Sequence, residues 1–133
     1  MPVRQIGNRS DALFAASLSE QERRVLGRFL PGLQKALGDD LHAVWLYGSS
    51  ARGERRHPDS DVDVLVIAEG GHERYGRLAM DLSSEAAYAE GESPFSYSVH
   101  VYDPEWLRGR REIESFFIQE VDRDKILLAG SDL

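Results

Sequence analysis

The most informative stretch of the sequence is GSSARGE, at residues 48–54. The run LHAVWLY at 41–47, rich in aromatic and β-branched residues, precedes it and predicts a buried strand. Gly48 at the end of that strand permits a close backbone approach, free amides there can face a phosphate, and Ser49 adds a hydroxyl donor. The residues at 48–60, rich in Gly, Ser, Arg and Pro, predict a loop with room for one helical turn. Gly48 and Ser49 are therefore candidate phosphate-binding residues.

The next stretch, DVDVLVIA at 61–68, predicts a central strand with one exposed end. Asp61 and Asp63 are two residues apart on that strand, so both side chains project from one face. Two such carboxylates repel each other unless a cation joins them, and oxygen ligands suit Mg²⁺. An Asp-x-Asp alone is usually a solvated strand face, and a Gly-Ser alone is usually a turn. Together they predict a phosphate cradle facing an acidic metal site, which is what nucleotidyl transfer requires.

Outward from this centre the pattern predicts further helices and strands. A capping box at 19–22 begins a helix with apolar residues at helical spacing, which Pro31 is expected to kink or restart. The other predicted elements are a helix at 72–89, a strand at 95–102, a short helix opened by Pro104, a helix striped by Ile113, Phe116, Phe117 and Val121, and a strand at 125–129. This order predicts one α/β (α+β) domain over 1–133, a small mixed β-sheet flanked by helices, with 1–18 as a partly ordered leader or a short extra helix.

Two groups near the C terminus allow more than one interpretation. Trp106, Phe116 and Phe117 are predicted core residues, whereas an exposed one would indicate a docking face. The arginines at 108–111 are interpreted as a solvated helix end, with contact to nucleotide or to an acidic partner as the alternative.

Composition excludes several classes of protein. Hydrophobic residues at 41% and charged residues at 29% are typical of a soluble globular chain. The net charge of −7 disfavours an extended nucleic-acid surface, because such surfaces bind by neutralising phosphates. With no cysteine, disulfides, thiolate zinc sites and cysteine nucleophiles are excluded. Neither a membrane-spanning run nor the hydrophobic core of a signal peptide is evident, so no membrane association and a cytoplasmic location are expected.

GSSARG followed by SDVDVLV resembles the signature of the DNA polymerase β-type nucleotidyltransferases, in particular the minimal nucleotidyltransferases (MNT) of bacteria and archaea. These typically show G-S-x-A-R-G and then S-D-x-D-L-x-V, and Val64 here replaces the usual leucine. The preceding helix, the following element order and the C-terminal RDKILLAG, similar to R-E-G-x-x-L-Y, extend the resemblance over most of 20–130.

The resemblance implies an enzyme that uses ATP or another NTP with Mg²⁺. The implied catalytic and metal-binding residues are Asp61 and Asp63, and the implied nucleotide-binding residues are Gly48, Ser49, Arg52 and Ser60, with Arg52 either stabilising the loop or contacting phosphate. Many such proteins are antitoxins paired with a HEPN-domain ribonuclease, and some transfer AMP to a tyrosine of that toxin. The implied function is therefore transfer of AMP to a hydroxyl acceptor, a tyrosine of a HEPN toxin partner.

One departure from the family pattern leaves an alternative open. Active members usually carry a third carboxylate on the third strand, where Ser98 stands here, with His100 next on the same face. His100 is the candidate proton acceptor, although a lone strand histidine is more often structural. The alternative is a degenerate binding module that neutralises a partner by masking it. Polymerisation is disfavoured by the acidic charge, and aminoglycoside modification would need a homo-oligomer to build a drug pocket.

Overall fold

The computed structural model describes residues 17–53 and 61–133. The predicted leader at 1–18 lies outside the described residues except for its last two positions, and the candidate Ser60 lies outside them as well. Within the described residues, no helix combines the length and apolar character that crossing a membrane requires.

The described elements follow the predicted order closely. The helices are α1 (Glu20–Leu37), α2 (Ser49–Arg52), α3 (Gly71–Ala89), α4 (Pro104–Glu112) and α5 (Phe116–Asp124). The strands are β1 (Leu41–Tyr47), β2 (Val62–Ala68), β3 (Tyr97–Tyr102) and β4 (Ile126–Gly130). Short 3₁₀ turns at Gly38–Asp40 and Pro94–Ser96 lead into β1 and β3. The second turn takes the first two residues of the strand predicted at 95–102.

The four strands form one mixed sheet in the order β3-β2-β1-β4. Strand β1 is antiparallel to β2 and to β4, whereas β2 and β3 are parallel. Tyr47 pairs with Asp63 across the first ladder, and Asp63 pairs with Ser98 across the parallel one. The prediction of a small mixed sheet flanked by helices is confirmed.

Each face of the sheet packs against its own pair of helices. Helices α1 and α3 cover the face that carries the even-numbered residues of β1 and β2, and this core includes Val44, Leu46, Val64, Val66, Phe29, Leu33 and Ala79. Helices α4 and α5 cover part of the opposite face, where the core consists of Ala43, Trp45, Leu65, Ile67, Leu107, Ile118 and Val121. Asp63, Tyr47 and Ser98 belong to this second face, and of the three Tyr47 packs against the edge of this core.

Helix α1 begins at the predicted capping box and passes through Pro31 without restarting. The Ser19 hydroxyl accepts a hydrogen bond from the Glu22 amide, and the Glu22 side chain accepts one from the Ser19 amide. Pro31 and Gly27, four residues earlier, are both exposed, so the carbonyl that proline leaves without an amide donor faces water. The expectation that Pro31 would restart the helix is wrong.

The prediction that Phe116 and Phe117 lie in the core is also wrong. Phe116 is 75% exposed, Phe117 40% and Ile113 69%. Helix α5 begins only at Phe116, and it meets the sheet through Ile118 and Val121, which are three residues apart on its inner face. The sequence pattern therefore assigned the right helix and the wrong face.

Replacing Phe29 by alanine is expected to lower the free energy of unfolding by about 3–5 kcal/mol, because this ring is 1% exposed at the centre of the core. Phe116→Ala, a matched change on an exposed ring, is expected to alter it by less than about 0.5 kcal/mol. Urea denaturation of both variants checks this. Similar losses for the two would contradict the assignment of Phe116 to the surface.

Candidate functional site

The carboxylate of Asp63 lies directly against the backbone of Gly48. A Cβ built on Gly48 would stand 2.6 Å from Asp63 Oδ2. The backbone of Gly48 has φ 75° and ψ −158°, a conformation essentially open only to glycine. The pairing of Tyr47 with Asp63 holds the two residues at this distance. The structure therefore brings the Gly-Ser turn and the acidic pair together at one end of the β1–β2 ladder.

The Gly-Ser turn is closed by its own backbone and anchored from a distant part of the chain. The Gly48 carbonyl accepts hydrogen bonds from the amides of Ala51 and Arg52, at 3.1 and 3.2 Å. The Ser17 hydroxyl donates to the carbonyls of Ser49 and Ser50, at 3.2 and 3.1 Å, and the Ser17 amide donates to Ser50 at 2.9 Å. Sequence reasoning missed Ser17, because nothing in its own neighbourhood points to a partner more than 30 residues away.

Asp61 and Asp63 offer oxygen ligands at the open end of β2. Asp61 is exposed just ahead of the strand, and Asp63 is partly buried within it. In residues 17–53 and 61–133, no three His, Cys, Asp or Glu side chains are grouped so that they could hold a metal ion. Mg²⁺ is commonly bound by one or two protein carboxylates, with water and substrate phosphates completing its shell. The pair beside the Gly48 turn fits that mode of binding.

Ser98 and His100 form a hydrogen-bonded pair beside the acidic pair. Ser98 lies opposite Asp63 on the neighbouring strand, where side chains on one face are close neighbours. The Ser98 Oγ to His100 Nε2 distance is 3.1 Å, and the His100 ring is exposed. The position where the family resemblance calls for a third carboxylate thus carries a hydroxyl in contact with an imidazole.

Arg52 lies at the end of α2 and forms an ion pair with the last residue of α5. Its Nη1 is 3.8 Å from Asp124 Oδ2, and Arg123 binds the same carboxylate at 2.8 Å. The hydrogen bonds from Arg123, together with the smaller influence of Arg52, hold the pKa of Asp124 below its usual value. Arg52 therefore links the end of α2 to α5, and its role toward a nucleotide stays a prediction.

Tyr47 is a neighbour both of Asp63 and of aromatic side chains on the same face of the sheet. Burial of its phenol, with smaller contributions from the nearby Asp63 and Tyr102, raises the pKa of Tyr47 to about 12. Its ring meets that of Phe117 edge to face, with centroids 5.6 Å apart. Tyr47 is therefore a neutral phenol at physiological pH, between a carboxylate and an aromatic cluster.

An open groove of about 420 Å³ continues from this cluster along the sheet face. Its lining residues are Tyr47, His100, Tyr102, Trp106, Arg110, Ser115 and Phe117. We call this the aromatic groove. Sequence reasoning singled out only His100 as a site residue there. Tyr47 and Tyr102 share the strand parity of Asp63 and His100, and this parity is the signal that could have found them.

Comparison with known proteins supports the fold. Residues 28–130 match the family model described as a nucleotidyltransferase domain. No curated protein matches the sequence. A chain in a crystal structure of a toxin-antitoxin with AMP-PNP is similar at 22% identity, with 78% of this chain and 73% of that chain covered and a TM-score of 0.51. A chain in the tri-AMPylated Shewanella oneidensis HEPN toxin in complex with MNT antitoxin is 18% identical, with coverages of 84% and 73% and a TM-score of 0.47.

Gly48→Ala is expected to lower the free energy of unfolding by about 3 kcal/mol, because the new Cβ meets the Asp63 carboxylate in a conformation that alanine resists. Gly53→Ala is the matched control: φ there is also positive, at 72°, but no atom lies within 4 Å of the added Cβ. This control should lose only about 1 kcal/mol. Chemical denaturation measures both effects, and equal losses of stability would contradict the contact.

Asp63→Asn is expected to lower the pKa of Tyr47 from about 12, because the variant removes a negative charge that opposes ionisation of the phenol. Since the phenol titrates near 10 in an unfolded chain, the intact protein should lose stability as pH rises from about 10 to 12. Titration of ¹³C-labelled tyrosine rings by NMR checks the shift, with the surface variant Asp81→Asn as control. An unchanged pKa in Asp63→Asn would contradict the proximity of the two groups.

Proposed function

The chain belongs to the nucleotidyltransferase domain family, and from this premise we propose that it is a Mg²⁺-dependent nucleotidyltransferase that transfers AMP from ATP to a hydroxyl acceptor. The observation that carries the proposal is the contact between Gly48 and the Asp63 carboxylate. It joins a turn suited to phosphate and a carboxylate suited to a metal in one site, as transfer of a nucleotidyl group requires.

The proposed roles follow from where the side chains lie. Asp61 and Asp63 would hold Mg²⁺, whose positive charge offsets the charge that develops on the phosphates. Nucleotide phosphates would bind at the Gly48–Ser49 turn, and Arg52 and Ser60 complete the proposed nucleotide-binding set. A hydrated cation can reach the proposed site from solvent, because the carboxylate of Asp61 is exposed.

The proposed reaction is an in-line displacement at the α-phosphorus. The acceptor oxygen forms a bond to that phosphorus, the α–β phosphoanhydride bond breaks, and pyrophosphate leaves. The acceptor proton passes to Nε2 of His100, whose hydrogen bond with Ser98 places it beside Asp63. A hydroxyl and an imidazole would thus serve where active relatives are expected to use a third carboxylate.

We propose a tyrosine of a HEPN toxin as the acceptor, with the chain acting as the antitoxin in the cytoplasm. The motifs at 48–66 support this through their resemblance to minimal nucleotidyltransferases. The shared fold with a chain from a toxin-antitoxin structure that contains AMP-PNP gives further support. Formation of a homo-oligomer stays a prediction.

A second candidate is a degenerate module that neutralises its partner by masking alone. Ser98 in register with Asp63 favours it, because no carboxylate occupies that position. The two candidates differ in one respect: masking survives the loss of the acidic pair, whereas neutralisation by transfer does not.

Asp63→Asn is expected to reduce transfer of label from α-labelled ATP to the partner by a factor on the order of 10³, since it removes half of the metal's carboxylate ligands. Asp81→Asn, on the outer face of α3, is the matched control and should transfer as the intact protein does. The assay uses Mg²⁺ and the proposed HEPN toxin partner. Persistent transfer in Asp63→Asn would contradict the enzyme, and persistent neutralisation without any transfer would favour masking.

His100→Ala is expected to slow transfer about 100-fold, at the lower end of what a general base contributes. His42→Ala is the control, because that ring binds Glu69 at the far end of β1. Single-turnover rates with and without added imidazole distinguish the roles. If His100 is the base, added imidazole restores part of the rate of His100→Ala, and no rescue would leave His100 with a structural role only.

A further inference from the structure

Two rings in the aromatic groove stand nearly parallel with a gap between them. The His100 and Tyr102 centroids are 6.4 Å apart, and the ring planes differ by 16°. Stacked bases in DNA are about 3.4 Å apart, so a ring sandwiched between two others needs about 6.8 Å. The separation of the two ring planes is at most this centroid distance, so a planar heterocycle enters between these rings after they move apart by at least a few tenths of an ångström.

Tyr102, the ring on one side of this gap, is held in place because it stacks on a third ring. Tyr102 packs face to face on Trp106, with centroids 3.7 Å apart and planes 6° apart. The Arg110 guanidinium lies 5.5 Å from the centroid of Trp106. Tyr102 therefore has little freedom to rotate away, and a ring that enters the gap meets a wall that is already formed.

The gap lies on the same strand and the same face as the proposed reaction centre. Ser98 is opposite Asp63, and position 101, at the middle of the gap, is three residues further along β3. At about 3.3 Å per residue this places the gap about 10 Å from the acidic pair. Tyr47 lies near both, because it lines the groove together with His100 and Tyr102 and because Asp63 contributes to raising the pKa of its phenol.

We propose that the aromatic groove binds the base of the nucleoside triphosphate, with the heterocycle between His100 and Tyr102. This inference rests on the proposed function, which sets the phosphates at the Gly48–Ser49 turn. The base is covalently tied to those phosphates, so binding of one end raises the effective concentration of the other at the groove. Arg110 and Ser115 at the rim supply hydrogen-bond donors for the acceptor atoms of the base edge.

The first experiment separates base binding from phosphate binding. Calorimetric titrations with AMP-PNP and with inorganic tripolyphosphate, both with Mg²⁺, are compared in the intact protein, in Tyr102→Leu and in Tyr102→Phe. Stacking on one base is worth about 1–3 kcal/mol, so Tyr102→Leu should bind AMP-PNP about 5- to 100-fold more weakly. Tyr102→Phe keeps the ring and should bind as the intact protein does, and all three proteins should bind tripolyphosphate equally.

A matched control and a variant-free measurement complete the design. Tyr88→Leu removes an aromatic ring that is 70% exposed on α3 and should leave the AMP-PNP affinity unchanged. In the intact protein, AMP-PNP should shift the NMR signals of the His100 ring upfield through the ring current of the stacked base, and tripolyphosphate should not. The His100 signals are identified by their loss in His100→Ala.

The outcomes are distinct. Equal AMP-PNP affinities for Tyr102→Leu and Tyr102→Phe, or no ring-current shift at His100, would overturn the base-binding groove. If Tyr102→Leu keeps its AMP-PNP affinity and loses only transfer to the partner, the groove holds the acceptor, and this too overturns the inference. If the intact protein binds neither AMP-PNP nor tripolyphosphate, the proposed function itself fails.

Discussion

The antiparallel ladder between β1 and β2, with Tyr47 opposite Asp63, is the constraint on which the rest of the site depends. This register brings Gly48 against the Asp63 carboxylate and aligns Asp63 with Ser98 on the next strand. A slip of one residue would turn Asp63 toward the core of α1 and α3, where an ionised carboxylate has no solvation. The even-numbered apolar residues would move at the same time to the half-open face. Both effects fix one register, so the stability of the core also sets the geometry of the acidic pair.

Unequal coverage of the two sheet faces explains where the site lies. Helices α1 and α3 cover one face along its whole length, and the apolar residues there are buried almost without exception. Helices α4 and α5 are nine residues each and cover only the part around Trp45 and Leu65. The end that carries the acidic pair therefore stays open, and the aromatic groove lies along the boundary between covered and open sheet. No additional segment is needed to form the site, because α4 and α5 are short and leave this part of the sheet face uncovered.

Local patterns in the sequence were enough for the elements and for the position of the Gly-Ser turn and the acidic pair at the ends of neighbouring strands. The apolar run at 41–47 and the alternation at 61–68 predicted β1 and β2, and their junctions predicted the Gly-Ser turn and the acidic pair. The groove could not be predicted, because the stacking of Tyr102 on Trp106 depends on how α4 leaves the sheet. Phe116 and Phe117 were assigned to the wrong face for a related reason: the spacing of apolar residues fits more than one helical stripe, and only packing selects one. Helix α1 also continues through Pro31, so a proline on an exposed helix face does not end the helix there.

The pairing of β4 with β1 has a consequence for how the chain acquires its structure. Leu46 and Ile126 are partners in that ladder although about 80 residues separate them along the chain. Contacts this distant close slowly, and during translation β4 emerges after β1, β2 and β3. The hairpin-like unit of β1 and β2 can form with the acidic pair in place while one edge of β1 still lacks its neighbour. That edge is then a temporary site for mispairing with other nascent chains, and the pairing of β4 ends this exposure.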